Sequence, residues 1–185
     1  MSYLGADWLD RPDREEREQP DRVLDALALS PDSIVADVGA GSGFFTVRLA
    51  KRAQKVYATD LQPEMRAMLE KRVAAAKLAN VTVLPATDRD AGLPAGCCDL
   101  VLLVDVYHEL ADPAAVIASI HRALRAHGRL VLVEYRGEDP AVAIKPEHKM
   151  TLAQITHELG QLGFRVDTSL EFLPDQRVVI LTPSF

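Results

Sequence analysis

From Ser33 to Arg136, short apolar runs alternate with segments of helical period, and this alternation constrains the fold more than any other feature. The runs SIVADV, KVYATD, VTVLP, DLVLLVD and RLVLVEY are nearly continuous in apolar residues, so each reads as a strand buried on both faces. Between them, FFTVRLAKRA, PEMRAMLEKRVAAAKL and DPAAVIASIHRALRAHG read as helices. Pro63 stands at a first helical position, where its missing N–H costs nothing, Glu64 complements the helix dipole, and Gly128 closes the third helix. Upstream, DRVLDALALS places Val23, Leu24, Leu27 and Ala28 on one helical face and stops at Ser30-Pro31. Downstream, TLAQITHELGQLG is a helix, and FRVDTSLEFL and RVVILTP, joined by PDQ, form an antiparallel hairpin. The predicted fold is α/β, a mostly parallel sheet with helices on both faces.

A chain of 185 residues suits one domain with a full core. Residues 21–185 carry the alternation, whereas residues 1–20 end in DRPDREEREQP, dense in both charges. That segment reads either as a solvated arm or as a lid, with Trp8, Arg11 and Arg14 closing over a ligand. The 21 Lys and Arg against 27 Asp and Glu give a net charge of −6, which disfavours gripping a phosphate backbone and favours a small-molecule partner. The N-terminus has neither a basic nor an apolar signal region, and the apolar run near residues 100–106 is broken by Asp105. No membrane span is expected, and the expected compartment is the cytoplasm. The two cysteines, Cys97 and Cys98, are adjacent and read as reduced thiols at a strand start.

The loop ADVGAGSG after the first strand brings backbone close to a ligand, at the place where such sheets bind. Two groups of enzymes use loops of this kind, one for a dinucleotide and one for S-adenosylmethionine. The dinucleotide fingerprint needs its third glycine at position 44, which is Phe44. Asp37, just before the glycines, would repel a pyrophosphate but suits an ammonium or sulfonium. Asp60, ending the second strand, can accept both ribose hydroxyls, and Leu61 offers an apolar face to adenine.

The order of VADVGAGSGFFTVRLA, VYATDLQPEM, GLPAGCCDLVLLVDVYHEL and ALRAHGRLVLVEYR resembles class I S-adenosylmethionine-dependent methyltransferases. It is similar to the small bacterial branch near the ubiquinone and menaquinone biosynthesis methyltransferases. The resemblance implies a Rossmann-like seven-stranded sheet whose last strand is antiparallel and inserted between the fifth and sixth. It implies that Asp37, Gly39, Ala40, Gly41, Ser42 and Gly43 form the cofactor loop and that Asp60 binds the ribose. It also places Asp88, with Asp90 as the alternative, at the adenine amino group, and turns Asp105 toward the methionine part of the cofactor.

In-line methyl transfer needs the nucleophile held close and collinear, and a base when the nucleophile arrives protonated. Candidates lie beyond the fourth and fifth strands: Tyr107, His108, Glu134 and Tyr135, with His108 the base candidate by its pKa range. The loop GEDPAVAIKPEHKM, carrying Lys145, His148 and Lys149, reads as an acceptor cover. No metal site is expected, because the five histidines have no ligand partner at a recognisable spacing. A dinucleotide-dependent oxidoreductase and a noncatalytic S-adenosylmethionine-binding protein are the competing readings.

Overall fold

In chain order the strands are β1 (Ile34–Val38), β2 (Lys55–Asp60), β3 (Val81–Pro85), β4 (Cys98–Val104), β5 (Leu124–Arg136), the two-residue β6 (Lys149–Met150), β7 (Phe164–Leu170) and β8 (Gln176–Pro183). The helices are α1 (Ala6–Leu9), α2 (Arg14–Glu18), α3 (Pro20–Ala26), α4 (Thr46–Leu49), α5 (Pro63–Ala75), α6 (Pro113–Ala123) and α7 (Leu152–Gln161). This computed structural model describes residues 6–184; residues 1–5 of the predicted N-terminal segment, and Phe185, lie outside them. The sheet runs β3-β2-β1-β4-β5-β8-β7, with β6 paired to β5 off that path. β1 to β5 are mutually parallel, while β8 is antiparallel to both β5 and β7. The last strand is thus inserted beside the fifth.

Period-two alternation sends the apolar side chains to two cores. Ala36, Val101, Leu103, Leu130 and Leu132 meet Ile117 and Ile120 of α6 and Ile155 and Leu159 of α7. Their neighbours Val35, Leu100, Leu102, Val131 and Val133 meet Val23 and Leu24 of α3 and Phe45 and Leu49. Each fully buried Val, Leu or Ile among them is worth about 1.5–3 kcal/mol. Asp112 caps α6 by accepting from the Ala115 N–H, and Thr151 caps α7 likewise.

Two helices are shorter than their sequence period predicts. α6 stops at Ala123 rather than running to Gly128, because the turn leading into β4 takes its last carbonyls. The N–H groups of Gly96 and Cys97 donate to the carbonyls of Arg122 and Ala123 at 2.9 and 2.8 Å, and Leu124 pairs with Cys98. α4 keeps only Thr46–Leu49 of FFTVRLAKRA. Cys97 and Cys98 are free thiols. No helix among the described residues is long and apolar enough to cross a membrane.

Candidate functional site

A cleft of about 460 Å³ opens beyond the carboxyl ends of β1, β2 and β4, within the size range of small-ligand sites. Its floor is the glycine loop. The N–H groups of Gly39 and Ala40 both donate to the Thr59 carbonyl at 2.9 Å, which ties the loop to the end of β2. Gly39 has φ +70°, and a Cβ there would lie 2.5 Å from a Val106 methyl. At Gly43, φ is +87° and a Cβ would lie 2.6 Å from Leu69 of α5. These two positions need glycine for both conformation and space.

Asp60 is buried and lines the cleft. Its Oδ2 accepts from the Gly41 N–H at 3.0 Å and its Oδ1 from the Gln62 N–H at 2.9 Å. Each carboxylate oxygen therefore has one fixed partner and a lone pair remaining. Leu61 beside it is 49% exposed and, with Met65, presents an apolar wall.

Asp105 follows β4 in a left-handed conformation, φ +54°, and turns into the cleft. The Gln176 amide nitrogen on β8 donates to both of its oxygens at 2.9 Å. Burial raises the Asp105 pKa well above the ordinary carboxylate value, and the nearby charges of Glu18 and Glu134 push the same way. A cation in the cleft would stabilise this carboxylate.

At the other end stand three linked side chains. Glu134 is fully buried; its Oε1 accepts from the Tyr107 N–H at 2.9 Å, and its Oε2 lies 2.6 Å from Nδ1 of His108. Because a carboxylate only accepts, the proton of that contact sits on Nδ1, and Nε2 of His108 is left to face the cleft. Nε2 lies 3.0 Å from Nδ1 of His148. Burial first, and then His108, lower the His148 pKa. Tyr135 also lines the cleft, and burial raises its phenol pKa.

The N-terminal segment closes one side. Leu9 sits over the glycine loop, where a Cβ on Gly41 would lie 2.8 Å from it. Arg14 is buried, pairs with Glu18 at 2.9 Å, and stacks its guanidinium 4.1 Å over the Phe44 ring. Arg48 stacks on the same ring at 4.2 Å and also pairs with Glu15. Asp10 meets Arg72 at 2.7 Å and the Ser42 hydroxyl at 3.2 Å. Trp8, Arg11, Arg14 and Glu18 line the cleft; Ile144, Lys145 and His148 line it from the loop before β6.

A family model described as "Methyltransferase domain" matches residues 36–132, just over half of the chain. The chain belongs to that methyltransferase family. An uncharacterized methyltransferase of Mycobacterium bovis is 35% identical over 121 residues, 65% of this chain and 47% of that protein. The chain spans about half the length of the curated relatives it matches. Among solved structures, a SAM-dependent methyltransferase from Aquifex aeolicus has a TM-score of 0.91 at 27% identity, covering 98% of each chain. The DhpI–SAH complex has a TM-score of 0.76 at 20% identity over 98% of this chain and 93% of that one, a likeness of fold.

Within this methyltransferase domain, Gly39, Gly41, Asp60, Leu61, Asp105, His108 and Tyr135 of the sequence candidates line one cleft. Others stand elsewhere. Asp37 is buried behind the glycine loop and accepts from the Thr46 hydroxyl at 2.6 Å; burial raises its pKa to about 6. Tyr107 is buried with its hydroxyl donating to Glu158 of α7 at 3.0 Å, so it faces away from the cleft lining. Glu134 stands behind His108. Asp88 is exposed on the turn closed by Thr87 and Asp90, outside the lining, and Asp90 is engaged by Arg122. Ala40, Ser42 and Gly43 belong to the loop but stand outside the lining. Glu18 and Gln176 went unread in the sequence, because each meets Asp105 across a long separation that no local pattern marks.

Proposed function

We propose that this domain transfers a methyl group from S-adenosylmethionine to a small-molecule acceptor. The observation that carries this reading is one continuous cleft joining the glycine loop, Asp60 and Leu61 at one end to Asp105 and the Glu134–His108 pair at the other. The residues present fit that cofactor. Gly39 and Gly41 leave backbone bare toward the cleft, and Asp60 keeps a lone pair on each oxygen for the ribose hydroxyls. Leu61 and Met65 would cover an adenine ring, and a cationic centre beside Asp105 would favour its ionised form. When bound, the cofactor supplies an electrophilic methyl group on a sulfonium.

The chain's own contribution is then positional and electrostatic. Glu134 fixes the His108 ring and its tautomer, and Nε2, which faces His148 at the far end of the cleft, is the atom that would take a proton from an acceptor there. Asp105, which lines the cleft between His108 and the glycine loop, would hold the cationic part of the cofactor. The cover formed by residues 8–18 on one side and 144–148 on the other, together with a net charge of −6, favours a small acceptor over a polynucleotide. The resemblance to quinone-biosynthesis methyltransferases makes phenolic, quinol-like acceptors the first to try.

The test has two parts. Calorimetry should give binding of S-adenosylhomocysteine and none of NAD; the reverse pattern would rule the reading out. Production of S-adenosylhomocysteine against a panel of metabolite and quinol-like acceptors should then identify the substrate. If the cofactor bound but no acceptor of any class gave turnover, the domain would be a binding protein.

A further inference from the structure

We propose that His108, Glu109 and His148 hold one divalent transition-metal ion at the acceptor end of the cleft, where an acceptor oxygen completes its coordination. Ligand atoms from these three side chains lie within 4.8 Å of one another. The two histidines are 40 residues apart in sequence, yet Nε2 of His108 and Nδ1 of His148 stand 3.0 Å apart. Two nitrogens bound to one ion at about 2.1 Å, with an angle of about 90–110° between them, lie about 3.0–3.4 Å apart. The pair already has that spacing. The two rings are nearly perpendicular, at 81° with centroids 5.1 Å apart. Glu109 brings a carboxylate oxygen to 3.9 Å from Nε2 of His108 and 3.8 Å from Nδ1 of His148. A shift of about an ångström in its carboxylate completes two imidazoles and a carboxylate, a ligand set suited to zinc, iron and their neighbours.

The surroundings are built for it. A histidine ligand typically donates its other ring N–H to a carboxylate, which fixes the tautomer and strengthens the ligand. Glu134 does this for His108 at 2.6 Å, and the Tyr107 N–H in turn orients Glu134. His148 ends the 3₁₀ turn Pro146–His148, and the next two residues are pinned as β6 against β5. All three ligand residues line the cleft, so an ion here has positions open toward a ligand. An acceptor hydroxyl entering such a position displaces water and binds with its oxygen; the O–H bond breaks, the electron pair stays on oxygen, and the proton passes to solvent. This selects acceptors with an ionisable hydroxyl, phenols and enols above all. That role rests on the methyl-transfer reading, whereas binding of the ion does not.

The experiment uses the tag-free full chain, stripped with chelator and titrated with Co²⁺ by visible absorption and with Zn²⁺ by calorimetry. S-adenosylhomocysteine is titrated into the same samples. One ion per chain is expected. His108→Ala and His148→Ala should abolish saturable binding, and Glu134→Gln should weaken it about 10–100-fold. His157→Ala, on an exposed face of α7, should leave it unchanged. Retained S-adenosylhomocysteine binding by His148→Ala would show that this variant is folded; if it were not, Glu109→Gln replaces it as the loss-of-ligand variant. Absence of stoichiometric binding in the wild type, or binding indifferent to these ligand substitutions, overturns the site and leaves a histidine pair joined by one hydrogen bond. A wild type that binds cofactor but no metal would sink this proposal alone. One that binds metal but not cofactor would support the site and sink the methyl-transfer reading.

Discussion

Asp37 and Asp60 end neighbouring strands, yet their surroundings give them different work. Asp37 has lost its water to burial, which raises its pKa from 3.8 to about 6 although Thr46 donates to it. The folded-state pKa lies above the unfolded value, so the folded state binds more protons in that window. Stability from this group is present below about pH 4 and lost as pH rises through about 6. Asp37→Asn keeps an oxygen for the Thr46 hydroxyl and removes the titration. It should be more stable than wild type at pH 7, by about 1–3 kcal/mol, with the gain shrinking toward pH 4. Urea midpoints across that range check it, and a pH-independent difference would contradict the assignment. Asp60 instead has backbone donors and faces the cleft. Asp60→Ala should weaken S-adenosylhomocysteine binding by about 1.5–3 kcal/mol, the scale of a hydrogen bond to a charged group, with an unchanged circular dichroism spectrum. The two strand-end acids were both visible in the sequence. Which one faces the cleft was not, because it depends on whether a side chain elsewhere, here Thr46, claims the carboxylate.

At the scale of elements, the central strands were legible because burial on both faces leaves nearly continuous apolar runs. The hairpin was legible from its short polar turn. The C-terminal end of α6 was not, since the groups that take its last carbonyls come from residues 96 and 97. The charged arm was harder still. DREERE has the composition of a solvated helix, but Arg14 and Glu18 are 6% and 2% exposed because Phe44 offers Arg14 a ring to stack on. Phe44, whose presence argued against a dinucleotide, is thus also what docks the arm. Glu18 holds both Arg11 and Arg14 at 2.9 Å. Removing one partner of a buried ion pair costs about 3–5 kcal/mol, more than so short a segment gains by docking. In Glu18→Gln the arm should therefore undock while the sheet stays folded. Trypsin should cut at Arg14 far faster than in wild type, the urea midpoint should barely move, and S-adenosylhomocysteine affinity should fall. Equal protease resistance would mean that the arm is held by something other than this pair.

At the scale of the molecule, the cleft collects acids from four distant parts of the chain: Glu18, Asp60, Asp105 and, behind the lining, Glu134. No local pattern could announce that convergence, and it sets how binding couples to protons. Asp105 is held well above the ordinary carboxylate range by burial first and then by Glu18 and Glu134, against the opposing effects of Gln176 and Arg14. A sulfonium placed beside it favours the ionised form and lowers its pKa. A group whose pKa falls on binding gives up a proton, so S-adenosylmethionine affinity should rise with pH. S-adenosylhomocysteine lacks the sulfonium charge and should release fewer protons. Calorimetry of both ligands at one pH, in buffers of different ionisation enthalpy, counts the protons directly. Asp105→Asn keeps an acceptor for the Gln176 amide and should abolish the difference between the two ligands. If the two release equal numbers of protons in the wild type, Asp105 does not face the sulfonium, and its raised pKa reflects burial among acids alone.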